Sequence, residues 1–308
     1  MPDVRYDAML ATLGGAVPPG PDWVHELKWD GFRVLSRLAG GAVEMWSRNG
    51  LDATHRFPAV AAALPDGLGG RDAVVDGEVC ALDERGRPSF QLLQRGEGTV
   101  AYFVFDLLEL DGAPQLARPL VERHAALAGV VAEGGLVRLS QTFADGEALF
   151  ARATEERREG IMSKRTDSTY RPGVRTRDWV KVKVRVTDVL AIAGWTHGQG
   201  ARARFGALLL AACDGDDLVY AGNVGTGFDD AEIDRLLERL RPLERPTSPL
   251  SRPLRNARVR AGSVTWVEPR LRARIEMAEW TNDGRVRSPA YKGLVGAREP
   301  VAQVPKRL

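Results

Sequence analysis

Val180-Lys181-Val182-Lys183-Val184 alternates apolar and cationic residues without a break. Successive side chains of a strand point to opposite faces, so this period of two fits a half-buried strand and no helix. Three valines turn inward and both lysines share one polar face. Val75-Asp76-Gly77-Glu78-Val79 repeats the pattern with carboxylates, Asp76 and Glu78 on one side, Val75 and Val79 toward the core. A chain with two such strands must build sheets.

Other strand-like runs are Trp23–Leu27, Phe32–Leu38, Ala42–Ser47, Ala73–Leu82 and Ala101–Leu110, punctuated by turn signals such as Gly40-Gly41 and Asp111-Gly112. Helical composition alternates with them at His55–Leu64, Leu116–Val130 and Glu147–Arg158, the last with Gly160 as its expected stop. The first part of the chain therefore reads as α+β. Beyond about Val186 the texture changes to short strands (Val189–Trp195, Phe205–Cys213, Leu218–Gly222) around one well-marked helix, the pattern of a small β-barrel. In that helix Asp229 is the expected N-cap, with Glu232 three residues on; Ile233, Leu236, Leu237 and Leu240 form the buried stripe and Pro242 stops it. The 308 residues suffice for two domains. The boundary is placed at 186, giving domains 1–186 and 187–308.

Hydrophobic residues at 44% and charged at 27% are ordinary globular values, and no apolar run approaches the ~18 residues of a membrane span. The start, MPDVRYDAML, has no export signal, so the expected location is cytoplasmic. Cys80 and Cys213 are the only cysteines and there are four histidines, which excludes a disulfide framework or a Cys-rich zinc cluster. Any metal must be held by oxygen.

A net charge of +2 conceals an uneven distribution: residues 1–150 carry −8, residues 151–186 carry +6, and residues 251–308 carry +8. The two basic segments suit a phosphate-binding surface, or merely solvated faces. Only six of the 43 basic residues are lysine: Lys28, Lys164, Lys181, Lys183, Lys292 and Lys306. In so arginine-rich a chain, a lysine can mark a site that needs an amine able to lose its proton. Lys28, at the exit of a strand in Glu26-Leu27-Lys28-Trp29-Asp30-Gly31-Phe32-Arg33, is either a nucleophile or surface charge. Lys181 and Lys183 side by side are costly unless an anion lies between them, and they would favour the neutral form of a third amine beside them.

Taken together these segments resemble the ATP-dependent DNA ligases of the covalent nucleotidyltransferase superfamily, in particular the bacterial end-joining type. Glu26–Arg33 resembles the first motif, Ser47-Arg48-Asn49-Gly50 the next, Asp76-Gly77-Glu78 the third, and Phe103-Val104-Phe105-Asp106 the adenine-stacking segment. Glu159-Gly160-Ile161-Met162-Ser163-Lys164 and Trp179–Lys183 follow in family order. Ala221–Phe228 and Glu279-Trp280-Thr281-Asn282-Asp283-Gly284 are similar to stretches of the ligases' C-terminal OB-fold and distinguish the chain from mRNA capping enzymes.

The resemblance implies an α+β nucleotidyltransferase (adenylyltransferase) domain of mixed and antiparallel sheets, followed by an OB-fold β-barrel. It implies that Lys28 takes AMP from ATP as a phosphoramidate, passes it to the 5′-phosphate of a nick in duplex DNA, and that a 3′-hydroxyl then displaces AMP. Glu26 is implied near the adenine amino group, Phe105 on the base, Arg33 and Glu78 at ribose hydroxyls, and Lys181 and Lys183 at the α-phosphate. Asp76 and Glu159 are the implied ligands of Mg²⁺ or Mn²⁺, and Arg48 the contact to the nick's 5′-phosphate. Partners would be nicked DNA and repair or end-joining proteins, with no membrane and a monomeric state.

One departure stands out. Relatives close with a Gly-Leu-Arg-x-Asp-Lys-like stretch, where this chain reads Lys292-Gly293-Leu294-Val295-Gly296-Ala297-Arg298. Val295 replaces the arginine that orients pyrophosphate, which leaves Lys292 or Arg298 for that task. The alternatives are an RNA ligase or other covalent nucleotidyltransferase, or a nick-binding relative impaired in self-adenylation.

Overall fold

A computed structural model describes residues 5–198, 204–254, 264–281 and 283–305. Asn282 and Lys306 lie outside the described residues. Two compact units are present, Met1–Val184 and Arg185–Leu308. Arg185 and Val186 thus fall in the second unit, two residues ahead of the boundary placed at 186. The reason is pairing: Val186 opens a strand and faces Met277.

The first unit contains β1 (Leu10–Leu13), β2 (Trp23–Leu27), β3 (Phe32–Ala39), β4 (Ala42–Ser47), α1 (Pro58–Gly67), β5 (Ala73–Leu82) and α2 (Phe90–Arg95). Then come β6 (Thr99–Leu110), β7 (Ala113–Pro114), α3 (Leu120–Ala128), β8 (Val137–Leu139), α4 (Gly146–Glu155), β9 (Gly160–Arg165) and β10 (Arg175–Lys183). These strands form two sheets, one in the order β4-β3-β5-β6-β7 with β8 parallel to β6, the other β1-β10-β9-β2 with β1 parallel to β10. Val60 and Leu64 of α1 and Leu127 of α3 close one face of the larger sheet over Val34, Val75, Val79 and Val104. The opposite face packs Leu35, Val74, Phe105 and Leu108 against Met9, Tyr170 and Trp179, residues of the smaller sheet and its flanks. Leu149 and Ala153 of α4 cover the far side of the smaller sheet at Ile161 and Val182. The layers are helix, sheet, sheet, helix.

Glu78 of β5 and Lys181 of β10 look into the space between the two sheets, whereas Lys183 stays partly exposed. Alternation fixes which side a residue faces, and the neighbouring layer decides whether water reaches it.

Gly160 is not a helix stop. Helix α4 ends at Glu155, Arg157 takes the left-handed turn (φ 54°), and Gly160 opens β9. Its φ of 141° and the Val182 carbonyl oxygen 2.1 Å from where a Cβ would sit leave room for glycine alone. That close approach brings Glu159 to the end of β10.

The second unit contains β11 (Val186–Thr196), β12 (Ala207–Asp214), β13 (Asp217–Val224), α5 (Asp230–Leu240), β14 (Glu244–Arg245), β15 (Val264–Val267) and β16 (Arg272–Met277). It closes with β17 (Glu279–Trp280), β18 (Val286–Arg287) and β19 (Ala290–Val295). Long β11 pairs with β12 and β15 near its end and with β16 near its start, a bent strand shared by two parts of a seven-stranded sheet. Asp229 caps α5, its side chain accepting from Glu232 N at 2.7 Å, and Ile233, Leu236, Leu237 and Leu240 are buried in the core with Leu190, Leu208 and Ile275.

Candidate active site

Between the sheets of the first unit lies a cavity of about 580 Å³, within the size range of small-molecule sites. Glu26, Lys28, Arg33, Arg48, Glu78, Phe105 and Lys181 all line it. Seven of the residues singled out from sequence therefore converge, from β2, β3, β5, β6, β10 and the loop after β4.

Lys28 leaves β2 where its backbone N–H donates to Gly160 O at 2.9 Å. Its ammonium pairs with Glu159, whose other oxygen takes Lys183 at 2.9 Å. Burial tends to raise the Glu159 pKa, but Lys28 and Lys183 outweigh it and hold the carboxyl below its usual range. Lys181 is lowered, first by burial and then by the charges of Lys183, Lys28 and Arg175. Lys183 reaches the site through Glu159 and does not itself line the cavity.

Asp76 is fully buried, and its carboxylate is taken by Arg33 in two hydrogen bonds of 2.9 and 2.6 Å and by the Tyr170 hydroxyl at 2.7 Å. Like Glu159, it is not among the residues that line the cavity. Its role here is to aim Arg33: burial opposes that guanidinium's charge, Asp76 outweighs the burial, and the Arg33 pKa is raised.

Among the described residues no group of three or more His, Cys, Asp or Glu could enclose a metal. Mg²⁺ needs no such cage when phosphates and water complete its shell. Glu159 is partly exposed, with Lys28 on one carboxylate oxygen and Lys183 on the other.

Phe105 lines the cavity edge-on to Trp179, with Arg33 5.4 Å and Lys164 4.4 Å from its ring centroid. Met162 and Trp29 line the cavity as well, Trp29 stacked on Phe103 at 3.5 Å. Arg48 is exposed at the rim with Asn49 and Arg175. Arg175 was missed by sequence reasoning, although it stands on the same strand as Lys181. Lys292 and Arg298 belong to the second unit, both exposed; Lys292 pairs with Glu276 at 3.1 Å.

Burial pushes Glu78 up to about 8, against the pull of Lys28 and Arg33. An unfolded glutamate titrates near 4.3, so the folded chain holds the extra proton between roughly pH 4.3 and 8, and stability falls as pH rises through that window. With screening by water in the cavity, the expected loss is about 2 kcal/mol from pH 5 to 8. Urea midpoints across that range should show the loss in the native chain and not in Glu78→Gln; equal slopes would refute it.

The sequence profile described as "ATP dependent DNA ligase domain" matches residues 17–183. The chain belongs to the ATP-dependent DNA ligase family. A second profile, "ATP dependent DNA ligase C terminal region", matches residues 201–295 and so ends at Val295, where the closing motif departs. The multifunctional non-homologous end joining protein LigD of Mycolicibacterium smegmatis is 38% identical over 299 residues, 96% of this chain and 39% of that protein. The chain thus spans about two fifths of the curated relatives it matches first. The crystal structure of the ligase domain from M. tuberculosis LigD is 35% identical, with a TM-score of 0.58 and 98% of each chain covered. A mycobacterial DNA ligase D complexed with ATP and MES is 35% identical, with a TM-score of 0.56 over 97% of this chain and 98% of that one. The first unit of the chain is accordingly the nucleotidyltransferase domain of that family and the second the OB-fold. No helix among the described residues is long and apolar enough to cross a membrane.

Proposed function

We propose that this ligase seals 5′-phosphate/3′-hydroxyl nicks in duplex DNA through a lysyl-AMP formed on Lys28, in end joining or another repair pathway. The observation that carries the reading is the placement of Lys28 in a cavity with Lys181 and a buried aromatic wall, its amine in contact with Glu159. Lys28 Nζ, its proton given up to water, attacks the α-phosphorus of ATP while Glu159 holds the amine in place. The P–N bond forms as the bond to the bridging oxygen breaks, and pyrophosphate leaves. Lys181, with Lys183 behind Glu159, neutralises the non-bridging oxygens. The base lies against Phe105, and Arg33 and Glu78 meet the ribose. A divalent ion, Mg²⁺ or Mn²⁺, held by Glu159 would supply further charge neutralisation at the phosphates.

The 5′-phosphate of the nick, held by Arg48, then takes AMP from Lys28, and the 3′-hydroxyl attacks that phosphate to release AMP. Lys292 or Arg298 would orient pyrophosphate. End joining is proposed because the relatives carry it in their names; a cytoplasmic monomer acting with repair proteins accords with it.

The test is incubation with α-labelled ATP, or separately GTP, and Mg²⁺, followed by a chase with nicked DNA. Label from ATP alone, discharged with appearance of sealed strand, supports the reading. Label from GTP, or discharge only onto nicked RNA, overturns it.

A further inference from the structure

At the floor of the cavity two strands present opposite charges. Antiparallel β2 and β9 carry Glu26 and Lys164. Lys164 Nζ donates to Glu26 Oε1 at 2.6 Å, with both side chains at most 2% exposed. Ser140 Oγ donates to Glu26 Oε2 at 3.0 Å and itself accepts from Trp29 Nε1 at 3.0 Å. The carboxylate is thus held by both oxygens. The Lys164 ammonium also sits 4.4 Å from the Phe105 ring centroid and 4.5 Å from that of Trp179.

A buried lysine–glutamate pair gives little net stability over well-packed apolar residues. This one borders a cavity lined by Trp29, Phe105 and Trp179, and after Lys164 and Ser140 are served each Glu26 oxygen keeps a lone pair. What Glu26 offers the cavity is an acceptor-only edge in a fixed orientation. A ring bearing an exocyclic N–H₂ at that edge finds a partner. A ring bearing a carbonyl there brings two acceptors together and leaves Glu26 unsatisfied, the kind of mismatch that discriminates strongly.

We propose that Lys164 and Ser140 are positioning residues that set preference for a 6-amino over a 6-oxo purine nucleotide, by fixing the Glu26 carboxylate. This rests on the reading of ATP as the adenylyl donor and of Glu26 at the base.

ITP is the probe, since inosine replaces the 6-amino group of adenosine with a 6-oxo group. Covalent nucleotidylation is followed by intact mass, and kcat/KM is taken for each nucleotide. The native chain should prefer ATP by at least about 100-fold. Ser140→Ala and Lys164→Gln should each lower the ATP/ITP ratio by about 10-fold or more. Ser140→Ala leaves the ion pair in place and guards against a folding failure of the lysine variant. Both nucleotides slowed alike, with the ratio unchanged in Ser140→Ala, would overturn the proposal and leave a structural role only. A native chain that takes up neither nucleotide removes the underlying ATP reading as well, an outcome the native control separates from the first.

Discussion

Lys28→Ala is expected to lose covalent labelling by α-labelled ATP and sealing of nicked DNA, each by at least about 10⁴-fold. Among the described residues, Lys181 is the one amine of the cavity that no carboxylate pairs, and it belongs to a different strand from the turn that presents Lys28. Lys164 is tied to Glu26, Lys183 is tied to Glu159, and a guanidinium does not give up its proton. The variant should still close a nick whose 5′ end is already adenylated, within about 100-fold of the native rate, because the missing amine acts only in forming and delivering that adenylate. A denaturing gel for the first reading and single-turnover closure for the second separate these steps. Label persisting on the variant would move the nucleophile to another amine, Lys181 first.

The second large effect is on stability. Asp106 and Arg123 are both fully buried and share two hydrogen bonds of 2.7 and 2.8 Å. Arg123 also donates to the carbonyls of Arg118 and Ser168 at 2.6 and 2.8 Å, tying β6 to α3 and to the segment before Tyr170. Asp106→Ala leaves a guanidinium buried without its counter-charge, which costs about 3–5 kcal/mol. In a unit of this size that lowers the melting temperature by roughly 10 °C, and calorimetry measures it. Replacing both partners by apolar residues of similar volume should recover much of the loss. If Asp106→Ala melts within 2 °C of the native chain, the pair is not the tie described.

The fold was legible where one face of an element is apolar and the other polar. Trp23–Leu27, Ala42–Ser47 and Ala73–Leu82 are strands at the bounds read from sequence, and α5 has its expected cap and stripe. Strand β9 was not recognised, because both its faces are covered. Ser163 and Lys164 are buried polar residues with partners His25 and Glu26 on β2, so no alternation between core and water is written into the segment. Strand β1 is four residues at a sheet edge, too short for a period to show. At the site, motif order singled out seven residues that line one cavity, but pairing across it was hidden. Glu26 and Lys164 are 138 positions apart, and nothing local in Asp76-Gly77-Glu78 says that Asp76 is consumed by Arg33 while Glu78 looks into the cavity.

The four lysines of the first unit are Lys28, Lys164, Lys181 and Lys183, and all stand in or against one cavity. Elsewhere on that unit arginine supplies the positive charge. Amine-directed chemistry, whether an acylating dye, a crosslinker or a coupling resin, therefore finds no lysine on this unit away from the candidate site. Any such reagent that modifies a lysine of this unit reports on that site. The protein should be tethered or tagged through other groups, and nucleotide should slow the modification wherever it shields these amines.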